Sequence, residues 1–204
     1  MSPAAGDPLP DRTGRAPIAW FWGEDAWSVD RAVRTFAERL AAEGGALEVW
    51  RAPAGDDDGS DGDGGGVAKR RARVLDEAEA RVGTATLFGG GTLVVIRQPA
   101  WIARESAGQA RLRALIGSVA PGNALCFAEL AGTDGKDPAS TAGLREAVAA
   151  ADGTLTRFPA IGRERIGGWL EMRARELGCT LGPGAGALLA ERVGATLRER
   201  DVDR

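Results

Sequence analysis

The chain has 204 residues, with 26 Lys and Arg against 29 Asp and Glu, a formal net charge of −3, and neither histidine nor tyrosine. Without an imidazole there is no Ser-His-Asp or Cys-His relay, no HExxH zinc site and no histidine acid–base group near neutral pH. The weakly acidic balance excludes the basic body of a free-standing duplex-DNA binder. Cys126 and Cys179 lack CxxC spacing and read as reduced thiols. No run reaches the ~20 apolar residues of a membrane span, and Met1 to Asp11 has no apolar signal core. These features together point to a cytoplasmic protein with a disordered start over 1–16.

Ile18-Ala19-Trp20-Phe21-Trp22, ended by Gly23, is a nearly unbroken apolar run that suits a strand buried on both faces. Ser28 then offers an N-cap for a helix carrying Val29, Val33, Phe36 and Leu40, stopped by Gly44-Gly45. Leu47, Val49 and Trp50 predict a second strand. Residues 55–66, GDDDGSDGDGGG, contain no apolar side chain and read as a flexible insertion. A calcium loop fails there, because an EF-hand needs Gly at its sixth and Glu at its twelfth position, where Asp61 and Val67 stand.

A second helix follows from Val67 through Arg71, Val74, Leu75, Ala78 and Val82 to Gly83. After Thr84 to Phe88 and three glycines, Thr92-Leu93-Val94-Val95-Ile96 predicts the third strand. Leu112, Leu115, Ile116 and Val119 mark a helix stopped by Pro121-Gly122, and residues Ala124 to Ala128 a fourth strand. Leu144, Ala147, Val148 and Ala151 mark another helix, before a short fifth strand over Gly153 to Thr156. Apolar strands alternating with amphipathic helices predict an α/β fold with a parallel sheet covered on both faces. Beyond Phe158-Pro159 only helical stripes remain: Ile166, Trp169, Leu170 and Leu177 capped by Gly178, then Leu188, Leu189 and Val193. The predicted division is an α/β domain over 17–158 and a small helical lid over 159–204.

Such a sheet raises the question of nucleotide binding. A phosphate-binding turn after the first strand offers Gly backbone N–H groups, then Lys and Ser or Thr for charge and Mg²⁺. Here that turn is Gly23-Glu24-Asp25-Ala26-Trp27-Ser28, with one Gly, no Lys and two carboxylates. At ~4 Å each carboxylate would repel a phosphate charge by ~1 kcal/mol even in water. The third strand is followed by Arg97-Gln98 in place of a metal-binding and water-orienting acidic pair. No ATP hydrolysis and no bound cofactor or metal are expected of this chain.

Trp20-Phe21-Trp22-Gly23-Glu24-Asp25 before an amphipathic helix, Thr86-Leu87-Phe88 before the Leu-Val-Val-Ile strand, and Trp169, Arg173, Glu176, Leu177 and Gly178 after Phe158-Pro159 together resemble the delta subunit of the bacterial DNA polymerase III clamp loader. The resemblance runs over about residues 17 to 197 and rests on order and spacing. It implies an AAA+-like first domain that has lost its ATP site, then a lid that is incomplete here, with the helical collar domain of the family absent from the chain.

That family opens the ring-shaped sliding clamp during DNA replication. The resemblance implies clamp binding through Thr86, Leu87 and Phe88, with Leu87 and Phe88 as an apolar tip. It also implies assembly with the gamma/tau and delta-prime subunits, and weak contact with primer-template DNA inside that complex. No catalysis is expected of the chain itself, although it would serve a nucleotidyltransferase holoenzyme, the DNA-directed DNA polymerase. Without the resemblance, a Leu-Phe pair between a helix and a buried strand ordinarily plugs its own core. A divergent nucleotide-binding or NTPase α/β protein is the alternative reading. Trp20, Trp22 and Trp50 read as core or sheet-edge residues, Trp101 as packing back on the sheet, and Trp169 as a lid-core residue. The pairs Arg70-Arg71 and Arg163-Arg165 read as solvated faces.

Overall fold

The computed structural model describes residues 17–53, 64–85, 90–132 and 135–193, with side chains described throughout except at 64–65, 163–164 and 190–193. The predicted disordered start, most of the Gly/Asp insertion and the residues Thr86, Leu87 and Phe88 lie outside the described residues.

Five parallel strands form one sheet in the order β2-β3-β4-β1-β5: β1 (Ile18–Gly23), β2 (Leu47–Arg51), β3 (Gly91–Arg97), β4 (Ala124–Leu130) and β5 (Thr154–Phe158). The helices between them are α1 (Ala26–Gly44), α2 (Gly64–Gly83), α3 (Ser106–Gly117) and α4 (Ala142–Ala150). Two more, α5 (Arg163–Glu176) and α6 (Ala185–Val193), follow the last strand and pack together. The fold is the expected α/β class, a five-stranded parallel sheet flanked by helices.

Strand alternation divides the core in two. Trp20, Val94, Ile96, Leu125 and Phe127 point to the face covered by α2, α3 and α4, where the Trp20 and Phe127 rings stack at 4.6 Å between centroids. Ala19, Phe21, Leu93, Val95 and Cys126 point to the other face, onto Val29, Val33 and Phe36 of α1. Burial on both faces explains why these strands carry unbroken apolar runs. Burial also pushes the Cys126 thiol well above its ordinary pKa, so Cys126 is an inert core residue.

Several element ends differ from the sequence expectation. Strands β3, β4 and β5 run on for one or two residues because their parallel neighbours continue: Arg97 pairs with Ala128, Leu130 with Gly23, and Phe158 with Gly23. Helix α2 starts at Gly64, inside the stretch read as insertion. Its buried stripe of Val74, Leu75, Ala78 and Val82 sustains the helix through glycines that each cost about 1 kcal/mol relative to Ala. The N-cap of α1 is Asp25, not Ser28; the Asp25 carboxylate accepts from the Ser28 N–H at 3.1 Å. Two 3-10 turns, at Pro99–Trp101 and Ala139–Thr141, carry too few residues to leave a periodic signal.

The terminal helices also depart from their stripes. Ile166 and Ala174 are buried, but Leu177 and Leu188 are 62% and 55% exposed. Leu177 is the C-cap of α5, and Gly178, at φ +71°, turns the chain away there. Trp169 is half-buried and meets Trp27 of α1 edge-on, with centroids 5.3 Å apart, so it joins α5 to the first helix instead of filling a separate lid core. Arg31 pairs with Glu176 at 2.8 Å across the same contact, and the Arg31 and Arg173 guanidiniums flank Trp27.

Candidate functional site

The turn joining β1 to α1 is bound to β5 and to its own carboxylates. Gly23 sits at φ +141°, and a Cβ there would overlap the Phe158 carbonyl. That close approach lets the N–H groups of Glu24 and Asp25 both donate to the Phe158 oxygen, at 3.0 and 3.3 Å. Buried Asp25 also accepts from the Ser28 hydroxyl at 2.5 Å. One oxygen of Glu24 accepts from the Ala160 N–H at 2.6 Å and the other from Arg157 at 3.2 Å. Arg157 also donates to Asp137 at 3.4 Å, and Asp137 accepts from the Trp22 indole N–H at 2.9 Å. A phosphate cradle needs unspent amides and positive charge. Here the Glu24 and Asp25 amides are committed to β5, and the adjacent Arg157 guanidinium is held between two carboxylates.

The end of β3 carries a paired cation: Arg97 pairs with Asp30 of α1 at 3.3 Å, and Gln98 adopts φ +50° before the first 3-10 turn. The nearest buried acid is on β4. Glu129 is fully buried and accepts from the Ala100 N–H at 3.0 Å and the Thr141 hydroxyl at 2.8 Å, with Arg145 at 3.8 Å. Burial raises its pKa against the opposing pull of Thr141, the Ala100 N–H and Arg145. Glu129 therefore ties the two 3-10 turns together. Among the described residues, no group of three His, Cys, Asp or Glu is placed to hold a metal.

Thr86, Leu87 and Phe88 lie outside the described residues, but both roots of that loop are visible. Asn123, fully buried just ahead of β4, binds them together. Its amide nitrogen donates to the carbonyls of Arg81, Val82 and Thr84 at 3.1, 3.0 and 2.8 Å, satisfying the end of α2. Its amide oxygen accepts from the Thr92 N–H at 2.9 Å, at the start of β3. The Ala120 N–H adds a bond to the Val82 carbonyl at 2.9 Å, and the Gly91 N–H one to Ala46 at 3.1 Å. Gly91 has no room for a side chain, since a Cβ there would overlap the Gly122 carbonyl. The sequence reading missed Asn123, although an Asn directly before an apolar strand is a visible oddity.

Other singled-out residues fall mostly as expected. Trp20 is core, and Trp101 packs back on the sheet. Trp22 and Trp50 are half-buried, beneath Arg145 and Arg81. Arg71 differs: instead of lying on a solvated face it stacks over Trp101 and pairs with Glu105. The Arg163 side chain lies outside the described set, and Arg165 is exposed. No helix among the described residues is long and apolar enough to cross a membrane.

No protein-family model matches the chain, and no curated protein matches it. Among solved structures, Orc1 of Aeropyrum pernix in complex with DNA is 17% identical, with a TM-score of 0.49 over 86% of this chain and 49% of that one. The replication initiator DnaA bound to AMPPCP and single-stranded DNA is 9% identical, with a TM-score of 0.49 over 86% and 50%. A chain of the E. coli MS115-1 HORMA:CdnC:Trip13 complex is 16% identical, with a TM-score of 0.48 over 87% and 59%. The chain spans about half the length of the first two.

Proposed function

We propose that this chain is a non-catalytic, AAA+-like subunit of the clamp-loader delta type, which grips a sliding clamp through Leu87 and Phe88 and helps open it for loading on primed DNA. The observation that carries this reading is the β1–α1 turn, whose Glu24 and Asp25 amides are both spent on Phe158 and whose carboxylates stand in the place of a phosphate. A nucleotide-binding topology without a usable phosphate cradle is what the delta resemblance implies. The rooted loop supports it as well, because Asn123 fixes the stalks on either side of the Leu-Phe pair. ATP hydrolysis would then belong to the partner subunits, and this chain's chemistry would be association alone.

The deciding measurement is clamp affinity for the parent chain and for Leu87→Ala/Phe88→Ala. Each side chain buried in a partner pocket contributes ~1.5–3 kcal/mol, so the double variant loses at least about a hundredfold in affinity with its melting temperature nearly unchanged. A sharply lowered melting temperature, with no clamp binding in the parent, identifies the pair as core and sinks the proposal. Micromolar binding of Mg²⁺-ATP by the isolated chain would instead favour a divergent nucleotide-binding protein.

A further inference from the structure

At the carboxyl ends of β2, β3 and β4, against α1, lies a half-open cleft of about 310 Å³. Its floor is Val33, Val95 and Ala128, and its rim carries Arg34, Arg51, Arg97 and Asp30. Among the described residues that line it, three guanidiniums against one carboxylate leave a surplus of two positive charges. Asp30 is engaged by Arg97 at 3.3 Å, and neither Arg34 nor Arg51 has a partner among the described residues.

We propose that this cleft is an anion site that takes a phosphate group. Three observations converge on it. The cleft lies at the carboxyl ends of three neighbouring strands, where residues of β2, β3 and β4 converge against α1. Its charged groups come from three different elements, α1, β2 and β3, so the fold brings the arginines together where their sequence positions do not. Guanidinium is suited to phosphate oxygens through paired N–H donors, and a surplus of two charges matches a dianion. The lining contains no aromatic ring to stack a base and no neutral polar side chain to read one, so the recognised chemistry is the phosphate alone. None of the lining residues belongs to the β1–α1 turn or to the α2–β3 connection, and the site stands or falls independently of clamp binding.

Phosphate chemistry of this kind is supplied either by a small soluble phosphate or by the backbone of a nucleic acid strand. The test uses the full chain and follows the arginine Nε–H resonances while pyrophosphate is added, with sodium chloride at matched ionic strength as the reference. The expected result is a saturable shift of the cleft arginines that chloride does not reproduce. Arg34→Gln/Arg51→Gln, both exposed positions, should weaken pyrophosphate at least about tenfold, the scale of losing charge-assisted hydrogen bonds. Arg175→Gln, on the exposed side of α5, should not. If a single-stranded oligonucleotide then displaces pyrophosphate, the natural source is a nucleic acid backbone; if it does not, the source is a small phosphate, and both outcomes uphold the site. The absence of saturation, or equal affinity in the double variant and the parent, overturns it.

Discussion

Two connections in this molecule meet the sheet at opposite ends, and they solve the same problem differently. The β1–α1 turn leaves the carboxyl end of β1 and is pinned from the same chain: the Glu24 and Asp25 amides, both carboxylates and the neighbouring Arg157 bond within it. The α2–β3 connection enters at the amino end of β3, where one buried side chain, Asn123, ties the end of α2 to the start of β3. A phosphate-binding turn after a first strand would hold its ligand at the first place. Here that place is a structural joint, and the weight of the proposed function rests on the second.

The comparison breaks hardest at Gly23. Alanine there must hold φ +141° and overlap the Phe158 carbonyl. Backbone strain of ~1–3 kcal/mol and an overlap of similar cost together lower stability by about 4 kcal/mol. Urea unfolding of Gly23→Ala checks this; a loss below about 1 kcal/mol would mean that the turn is not pinned to β5 as described.

Asn123→Ala comes next. It strands a Thr92 N–H and up to three carbonyls at the end of α2, one of them already bonded to the Ala120 N–H. The expected loss is about 2–3 kcal/mol, with faster amide exchange at Thr92 than at residues in the centre of β3. The same variant should weaken clamp binding even though it touches no clamp-facing residue, because both stalks of the loop lose their tie.

Asp25→Ala removes the N-cap of α1 and costs about 1 kcal/mol. It also sharpens the reading of the turn as a joint. Even Glu24→Gln/Asp25→Ala, with both charges removed, should gain no measurable Mg²⁺-ATP binding, because the two amides remain on Phe158. Nucleotide binding by that variant would show that charge alone keeps phosphate out.

Most of the sheet was legible because its strands are buried on both faces, and unbroken runs such as Leu93 to Ile96 leave few alternatives. The charge of the β1–α1 turn was legible for another reason: Glu24 and Asp25 are adjacent in sequence, so it is visible before any folding. Asn123, Arg157 and Asp137 were not, since each acquires its role from partners 20 or more residues away, up to 133 for Arg157 and Glu24. The Arg34, Arg51 and Arg97 cleft was hidden in the same way. The terminal stripes misled at Leu177 and Leu188 because periodicity reports which side chains are apolar, not whether another element arrives to cover them.

The smallest effect at any single pH is expected at Glu129, near the carboxyl end of β4 and part of neither connection. Its native pKa is raised, chiefly by burial, so the folded state holds the proton more tightly than the unfolded chain does. The stability it contributes is therefore complete below the ordinary carboxylate pKa and is lost as pH rises through the raised native value. Glu129→Gln keeps an acceptor for the Ala100 N–H and cannot ionise. It should leave stability nearly unchanged in acid, where Glu129 is neutral, and flatten the decline of the parent as pH climbs above the normal carboxylate range. Paired urea titrations across that range decide the matter: parallel curves for parent and variant would mean that Glu129 does not carry its charge change between the folded and unfolded states.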